Sequence, residues 1–529
     1  MKTNGKPAER KSGIVLTGND LQAKDVHKIA CASTVSVSIH PSADERVRRS
    51  RNFVESQLSK QVTYGVNTGF GPMASHIIAK DKLTELQLNL IRSHAVGMGE
   101  PLPSSFVRGI MAVRLNTLTK GYSGVSGELL NNLAALVNSG ITPIIPEHGA
   151  VGTSGDLVQL AHIALALIGE GEVEYKGKRM AAKEAFQAAG IVPYAVKPKE
   201  GLSLINGTSA MTAIAAIATV AAERAIDISI KNGAWALELV SGFDDCYSKA
   251  LSAVRPHPGQ VEVAERLGRI LASSKLIQNR KQFSHENHVT KKNHTIPEEV
   301  QNVYSLRCIP QIVGPILDTL KQTTATVERE MNSASDNPIV TDYNGELEFL
   351  HGGNFHGDYI ALAADTLKIA IGKLTILSER RLNYFLNQKI NQQFPPFLNL
   401  NEPGITLALQ GLQFVATSTT AQSQTLGFPQ YLHSISTNAD NQDVVSMGME
   451  AALFLIRMLR NAFTVLSIES LALAQATDVL KTLPKHAADT QEMYRLIRKE
   501  IPKIVEDRVL VYELPKLQRL IEGGTLPCF

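Results

Sequence analysis

The chain has 529 residues, with 53 Lys and Arg against 50 Asp and Glu, a net charge of +3 and a pI near 8.5. That balance, without basic patches interleaved with aromatic residues, excludes a nucleic-acid binder, and 44% apolar residues supply material for a large core. The four cysteines (Cys31, Cys246, Cys308, Cys528) have neither metal nor disulfide spacing, which suits a reducing cytoplasm.

The first residues are polar and lack the apolar stretch of a signal peptide, so a cytoplasmic location is expected. Residues 1–13 read as a loose tail. Val62 to Pro72 reads as a short strand running into a Gly-rich loop. From about 82 to 140 the pattern is helical, broken at Gly97, Gly99, Gly121 and Gly124. Gly171 to Met180 reads as a hairpin turned at Tyr175-Lys176-Gly177-Lys178. A long helix follows Asn206. Its most apolar run, Met211 to Ala222, is too short to span a bilayer, and no membrane partner is expected. Residues 276–300 are polar and read as a surface loop, a candidate lid. Apolar stripes of period 3.6 predict helices at about 309–334, 358–390, 404–425 and 440–478. Helices this long and apolar must bury each other. The expected fold is mainly α: a central long antiparallel helical bundle (206–479) beneath a smaller mixed α/β N-terminal part (14–205), with a helical tail region at 480–529. The 440–478 helix is apolar around its whole circumference, and subunit association is expected to bury it.

The most informative segment is Glu147 to Gly169. Apolar residues at 157, 160, 161, 164, 165 and 168 make one helical face, so Thr153-Ser154-Gly155-Asp156 lies just before a helix. Ser154 or Asp156 could simply cap that helix. A chemical alternative exists. Gly155 has no side chain, so its backbone nitrogen can approach the Thr153 carbonyl carbon. Attack there and loss of two waters would close the tripeptide into a ring. Ser154 would become an exocyclic methylidene, a strong electrophile made more electron-poor by the following helix.

Gly152-Thr153-Ser154-Gly155-Asp156-Leu157 resembles the cofactor-forming motif of the aromatic amino acid ammonia-lyases and aminomutases. That family includes histidine, phenylalanine and tyrosine ammonia-lyases. Further blocks resemble the family in the same order: Tyr64 to Gly71, Leu204 to Ser209, Gln301 to Arg307, Asn354 to Gly357 and Asn441 to Asp443. The resemblance runs from about residue 15 to about residue 480. It implies a methylidene-imidazolone (MIO) formed from Thr153-Ser154-Gly155, with Thr153 where Ala is usual, and no metal or diffusible cofactor. It also implies a homotetramer whose active sites are built from three subunits.

The resemblance further implies roles for single residues. Tyr64 is the base for the β-hydrogen, and the Gly71 amide orients the reacting group. Arg307 offers a planar fork for the substrate carboxylate, against the plainer alternative of a structural ion pair. Tyr304 and Gln301 lie at helical spacing from Arg307 and match a site tyrosine and glutamine. Asn206, which could equally cap the next helix, sits beside the ring oxygen and the substrate carboxylate. Phe355 packs beneath the ring. Asn441 and Gln442 serve the ring and carboxylate end. His285-Glu286-Asn287-His288 lacks the spacing of a zinc helix, so no metal is expected.

Two positions bear on substrate. Ser93-His94 occurs in histidine ammonia-lyases and in bacterial tyrosine enzymes alike. Gln422 falls where histidine ammonia-lyases carry Glu, and a neutral amide gives imidazole no anionic partner. A neutral imidazole at His94 can hydrogen-bond a phenol hydroxyl. The expectation is therefore a tyrosine ammonia-lyase releasing p-coumarate. A tyrosine or phenylalanine 2,3-aminomutase, then a phenylalanine or histidine ammonia-lyase, are the alternatives, and a non-catalytic helical scaffold is the remaining one.

Overall fold

Eight helices position the candidate site in the computed structural model, which describes residues 13–282, 293, 295 and 300–526. They are α1 (Leu83–His94), α2 (Ser104–Thr119), α3 (Leu157–Leu167), α4 (Ser209–Leu239), α5 (Ile309–Met331), α6 (Asp358–Leu386), α7 (Gln410–Leu426) and α8 (Gly448–Leu480). α8 packs most extensively on α6 and then on α4; α5 bridges α4 and α6; α7 lies against α6 and α8; and α2 covers α4. The first half of α4 is rich in buried alanines, whose small side chains let neighbours close in from several sides. The molecule is mainly α, as expected.

The strands are short and peripheral. Gly13–Leu16 pairs in parallel with Ser36–Ile39, so Gly13 belongs to the folded part and not to a tail. The expected hairpin is present as Glu172–Tyr175 and Lys178–Ala181, joined on one edge by Thr142–Pro143. Ile339–Tyr343 and Glu346–Leu350 form a second hairpin. Met98–Pro101, between α1 and α2, pairs with Pro146–His148, a pairing that local periodicity did not anticipate.

Three expected elements differ. Val62 to Pro72 holds no strand; it is a run of turns anchored by a bridge between Thr68 and Ile77. The helix expected from 404 starts at Gln410, because Ala408 adopts left-handed backbone geometry (φ +50°) that ends any helix there. The helix expected from 440 starts at Gly448, preceded by left-handed Asn438, Ala439, Asp440 and Met447. That turn releases Asn441 and Gln442 from helical geometry.

The burial of α8 is also achieved differently from the expectation. It is long and apolar enough to cross a membrane, yet most of it is buried within the chain, against α6 and α4. The main apolar cluster runs from Leu16 to Leu526, across the expected boundaries near 205 and 480. The C-terminal segment is fastened to α4 at buried Glu238. This carboxylate accepts hydrogen bonds from the Ala487 amide (2.6 Å), the Thr490 hydroxyl (2.6 Å) and His486 Nδ1 (3.2 Å). The tail at 1–12, most of the 276–300 loop and His285 to His288 lie outside the described residues.

Candidate active site

The triplet Thr153-Ser154-Gly155 is clamped between α3 and α4. Asp156 precedes α3 but makes no side-chain cap for it. Its carboxylate reaches instead to the first turn of α4, where Oδ2 accepts from the amides of Ala210 (2.7 Å) and Met211 (2.9 Å). Its other oxygen is buried and unpartnered. Burial pushes the Asp156 carboxyl up to about 7, although the two amides and the Arg114 guanidinium pull the other way. Neither expected cap of α3 is therefore used; the carboxylate cross-links α3 to α4.

Asn206 likewise does not cap α4. It terminates a short helix, Glu200–Ile205, and the residue flanking α4 is Thr208. Fully buried Arg114 gathers the carbonyls of that short helix's end, with Nε on Leu204 O (3.1 Å) and Nη2 on Asn206 O (2.6 Å). Asn206 Nδ2 is thereby aimed at the Ser154 carbonyl (3.1 Å), which also accepts from the Gly207 amide (3.3 Å). Asn206 Oδ1 is buried and unpartnered.

Gly155 cannot be replaced sterically. Its φ is +71°, and a Cβ there would lie 2.0 Å from Gly207 O, in a bridge closed by Asp156 N–H to Gly207 O (2.8 Å). No hydrogen bond from the Gly155 amide forms among the described residues. From the turn before α8, Gln442 spans the triplet: Oε1 accepts from the Thr153 hydroxyl (2.6 Å) and Nε2 donates to Ser154 Oγ (3.0 Å). A tight left-handed turn, an uncommitted Gly155 nitrogen and a held Ser154 hydroxyl all fit ring closure of this triplet.

The triplet opens into a cavity of about 1110 Å³. Tyr64 lines it, and its hydroxyl accepts from the Gly71 amide (3.1 Å), with Phe70 edge-on at 6.3 Å. Phe355 comes from the turn before α6, and Asn441 and Gln442 from the turn before α8. The opposite wall is α1, through Leu86, Asn89, Leu90, Ser93 and His94. Their spacing of i, i+3, i+4, i+7 and i+8 is one helical face, a signal that could have found Leu86, Asn89 and Leu90 alongside His94. His94 Nδ1 lies 2.9 Å from the Leu90 carbonyl. Nδ1 also lies 3.0 Å from the Ser93 hydroxyl; in the tautomer that donates from Nδ1 to the Leu90 carbonyl, Nε2 is left as an acceptor.

Other lining residues escaped the sequence analysis. His351 lines the cavity, its pKa lowered by burial and by nearby Lys199. Its strand-end position carries no periodic signal. Asp443 is the acidic side chain of the lining, and no Lys or Arg lines the cavity among the described residues.

Four expected site residues lie elsewhere in the chain. Gln301 and Arg307 line a separate cavity of about 160 Å³ with Phe243 and Asp245. Arg307 Nε donates to Asn302 O (3.0 Å), and its guanidinium sits 4.7 Å from the Tyr304 ring centre. The local helix spans only Tyr304–Arg307, so Gln301 precedes it and the three share no helical face. The Tyr304 side chain is 69% exposed. Gln422, on exposed α7 surface, accepts from Asn461 Nδ2 (2.9 Å).

A family model described as aromatic amino acid lyase matches residues 21–499. The chain is 41% identical over 497 residues to a histidine ammonia-lyase of Geobacillus thermodenitrificans (strain NG80-2), covering 94% of each. It is 38% identical over 493 residues to a tyrosine 2,3-aminomutase of Myxococcus sp. (strain Mx-B0), covering 92% of each. The crystal structure of the tyrosine aminomutase from Streptomyces globisporus matches with a TM-score of 0.93 at 34% identity over 97% of both chains. The chain belongs to the aromatic amino acid lyase family, and its chemistry is of the ammonia-lyase and aminomutase type.

Proposed function

We propose that this chain eliminates ammonia from L-tyrosine to give p-coumarate. The observation that carries the substrate assignment is His94 on the cavity wall, whose tautomer donating from Nδ1 to Leu90 leaves an acceptor for a phenol hydroxyl. Leu86, Leu90, Leu157 and Leu202 supply apolar surface for the ring.

An amine is a poor leaving group, and an MIO made from Thr153-Ser154-Gly155 supplies the electrophile that ordinary side chains lack. Asn206 and Gly207 both donate to the Ser154 carbonyl, drawing electron density from the triplet. Tyr64 removes the β-hydrogen. The Gly71 amide on its oxygen stabilises the phenolate that this task requires.

The cavity of one chain lacks a cation for the substrate carboxylate among the described residues. Arg307, Tyr304, Gln301 and Gln422 reach it from neighbouring copies in a homotetramer. Exposed Tyr304 supports this arrangement, as do exposed apolar residues on and beside the bundle: Tyr359, Leu362 and Ile369 on α6, Phe414 on α7, and Leu432 and Ile435 before α8.

A second reading, 2,3-aminomutase, is favoured by the similarity to tyrosine aminomutases. It differs only in returning the amine to the β-carbon. Incubation with tyrosine, phenylalanine and histidine, followed by product identification, separates the readings. p-Coumarate supports the lyase and β-tyrosine the mutase. Preferential turnover of histidine overturns the tyrosine assignment.

A further inference from the structure

Thr153 stands where the family's usual residue, alanine, carries no hydroxyl, and here the threonine hydroxyl is engaged. Thr153 is 4% exposed and its Oγ1 lies 2.6 Å from Gln442 Oε1. Gln442 Nε2 lies 3.0 Å from Ser154 Oγ, the atom that leaves during self-modification. The carboxamide is oriented so that both contacts are satisfied at once: oxygen to Thr153, nitrogen to Ser154.

Gln442 needs such an anchor. Its backbone is paired with Thr437 across a turn of three left-handed residues, Asn438, Ala439 and Asp440. Only the backbone is pinned by that pairing. The side chain retains three rotatable bonds, and an untethered carboxamide could present either end to Ser154. We propose that Thr153 is a positioning residue for maturation: its hydroxyl holds the Gln442 carboxamide so that the N–H end assists departure of the Ser154 hydroxyl. The proposal rests on the MIO reading of the triplet.

The chemistry balances without any co-reactant. In ring closure the Gly155 nitrogen bonds to the Thr153 carbonyl carbon. The carbonyl oxygen leaves as water with the Gly155 and Ser154 amide hydrogens. In the second loss, the Ser154 Cβ–Oγ bond breaks and the Cα hydrogen is lost, together the elements of a second water. Nothing is oxidised or reduced. Hydroxide is a poor leaving group, so a fixed donor on Oγ acts where negative charge develops. The same donor is freed once Oγ has gone, while Thr153 still holds the other end of the carboxamide.

The test weighs intact chains. Wild type, Thr153→Val, Thr153→Ser and Gln442→Glu are made by cell-free synthesis, quenched at intervals and analysed by mass spectrometry, with circular dichroism as the fold control. Valine keeps the shape of threonine without the hydroxyl, and an ionised glutamate accepts from Thr153 but cannot donate to Ser154. Thr153→Ser keeps the wild-type pace. Thr153→Val and Gln442→Glu lose the second water about 10-fold more slowly or worse, the effect of one good hydrogen bond in a transition state. A chain one water lighter then accumulates. A Thr153→Val chain that reaches the two-water deficit as fast as wild type overturns the proposal and leaves the MIO reading standing. So does equal slowing by valine and serine. A wild-type chain that stays at its full translated mass overturns both.

Discussion

His94→Phe tests the substrate assignment at its physical root. His94 lines the cavity, and in the tautomer that donates from Nδ1 to the Leu90 carbonyl its Nε2 is an acceptor. Phenylalanine removes that acceptor while keeping a ring of similar size. α1 retains its backbone closure there, with the Ala95 amide on Ile91 O. Bound tyrosine must then bury its hydroxyl unpaired, at a cost of ~1–3 kcal/mol. At 1.4 kcal/mol per factor of ten, that is ~5–150-fold in kcat/KM. Phenylalanine as substrate escapes this cost and no longer meets an unsatisfied imidazole. The ratio of specificity constants, tyrosine over phenylalanine, therefore falls by ~10-fold or more. Steady-state kinetics with both substrates on both proteins measures it. A ratio that stays put refutes the role of His94, and a wild type that already prefers phenylalanine refutes the pocket assignment itself.

Four other outcomes are expected. Ser154→Ala abolishes turnover and the two-water mass deficit while circular dichroism is unchanged; retained turnover would sink the electrophile. Tyr64→Phe lowers kcat by ~100-fold or more, the low end of general-base contributions, with a smaller change in KM; a loss of only a few-fold moves the base elsewhere. If sites are shared between copies, co-expressing Tyr64→Phe with Arg307→Ala restores activity that neither variant shows alone; failure to complement in verified mixed oligomers places both residues in one subunit's site. Finally, the Asp156 carboxyl rises from 3.8 to about 7 on folding, so the native state holds a proton that the unfolded chain releases first. Its stabilising contribution is present below the unfolded pKa and is lost as pH rises through the folded one. The Tm of wild type relative to Asp156→Asn should fall between about pH 4 and about pH 7, the unfolded and folded values, and a flat difference contradicts the buried-proton picture.

What the sequence revealed was set by range. The helix after Asp156 and the long helix after Asn206 were legible, because 3.6-residue periodicity is a local property. The hairpin at 172–181 was legible from its Lys176-Gly177 turn. The cap assignments failed because Asp156 serves a helix 54 residues away, and no local pattern encodes that partner. The late starts of α7 and α8 were hidden because residues such as Ala408, Ala439 and Met447 take left-handed geometry that their side chains do not advertise. Within the site, Tyr64, Gly71, His94, Thr153, Ser154, Asn206, Phe355, Asn441 and Gln442 meet around one cavity. Gln301, Tyr304, Arg307 and Gln422 do not. Their spacing in sequence says nothing about which copy of the chain they would face.

The bridge between Gln442 and the triplet also sets a clock. The two partners of the Thr153–Gln442 bond are separated by 289 residues. Ribosomes add ~5–20 residues per second, so the carboxamide is synthesised ~15–60 s after the hydroxyl it must meet. The Ala210 and Met211 amides that Asp156 engages follow it by only 54 and 55 residues. A nascent chain can therefore dock α3 on α4 early, yet the Ser154 donor, Gln442, follows only 288 residues after Ser154. On the maturation proposed above, Ser154 loses its hydroxyl at full pace only after Gln442 has been added to the chain.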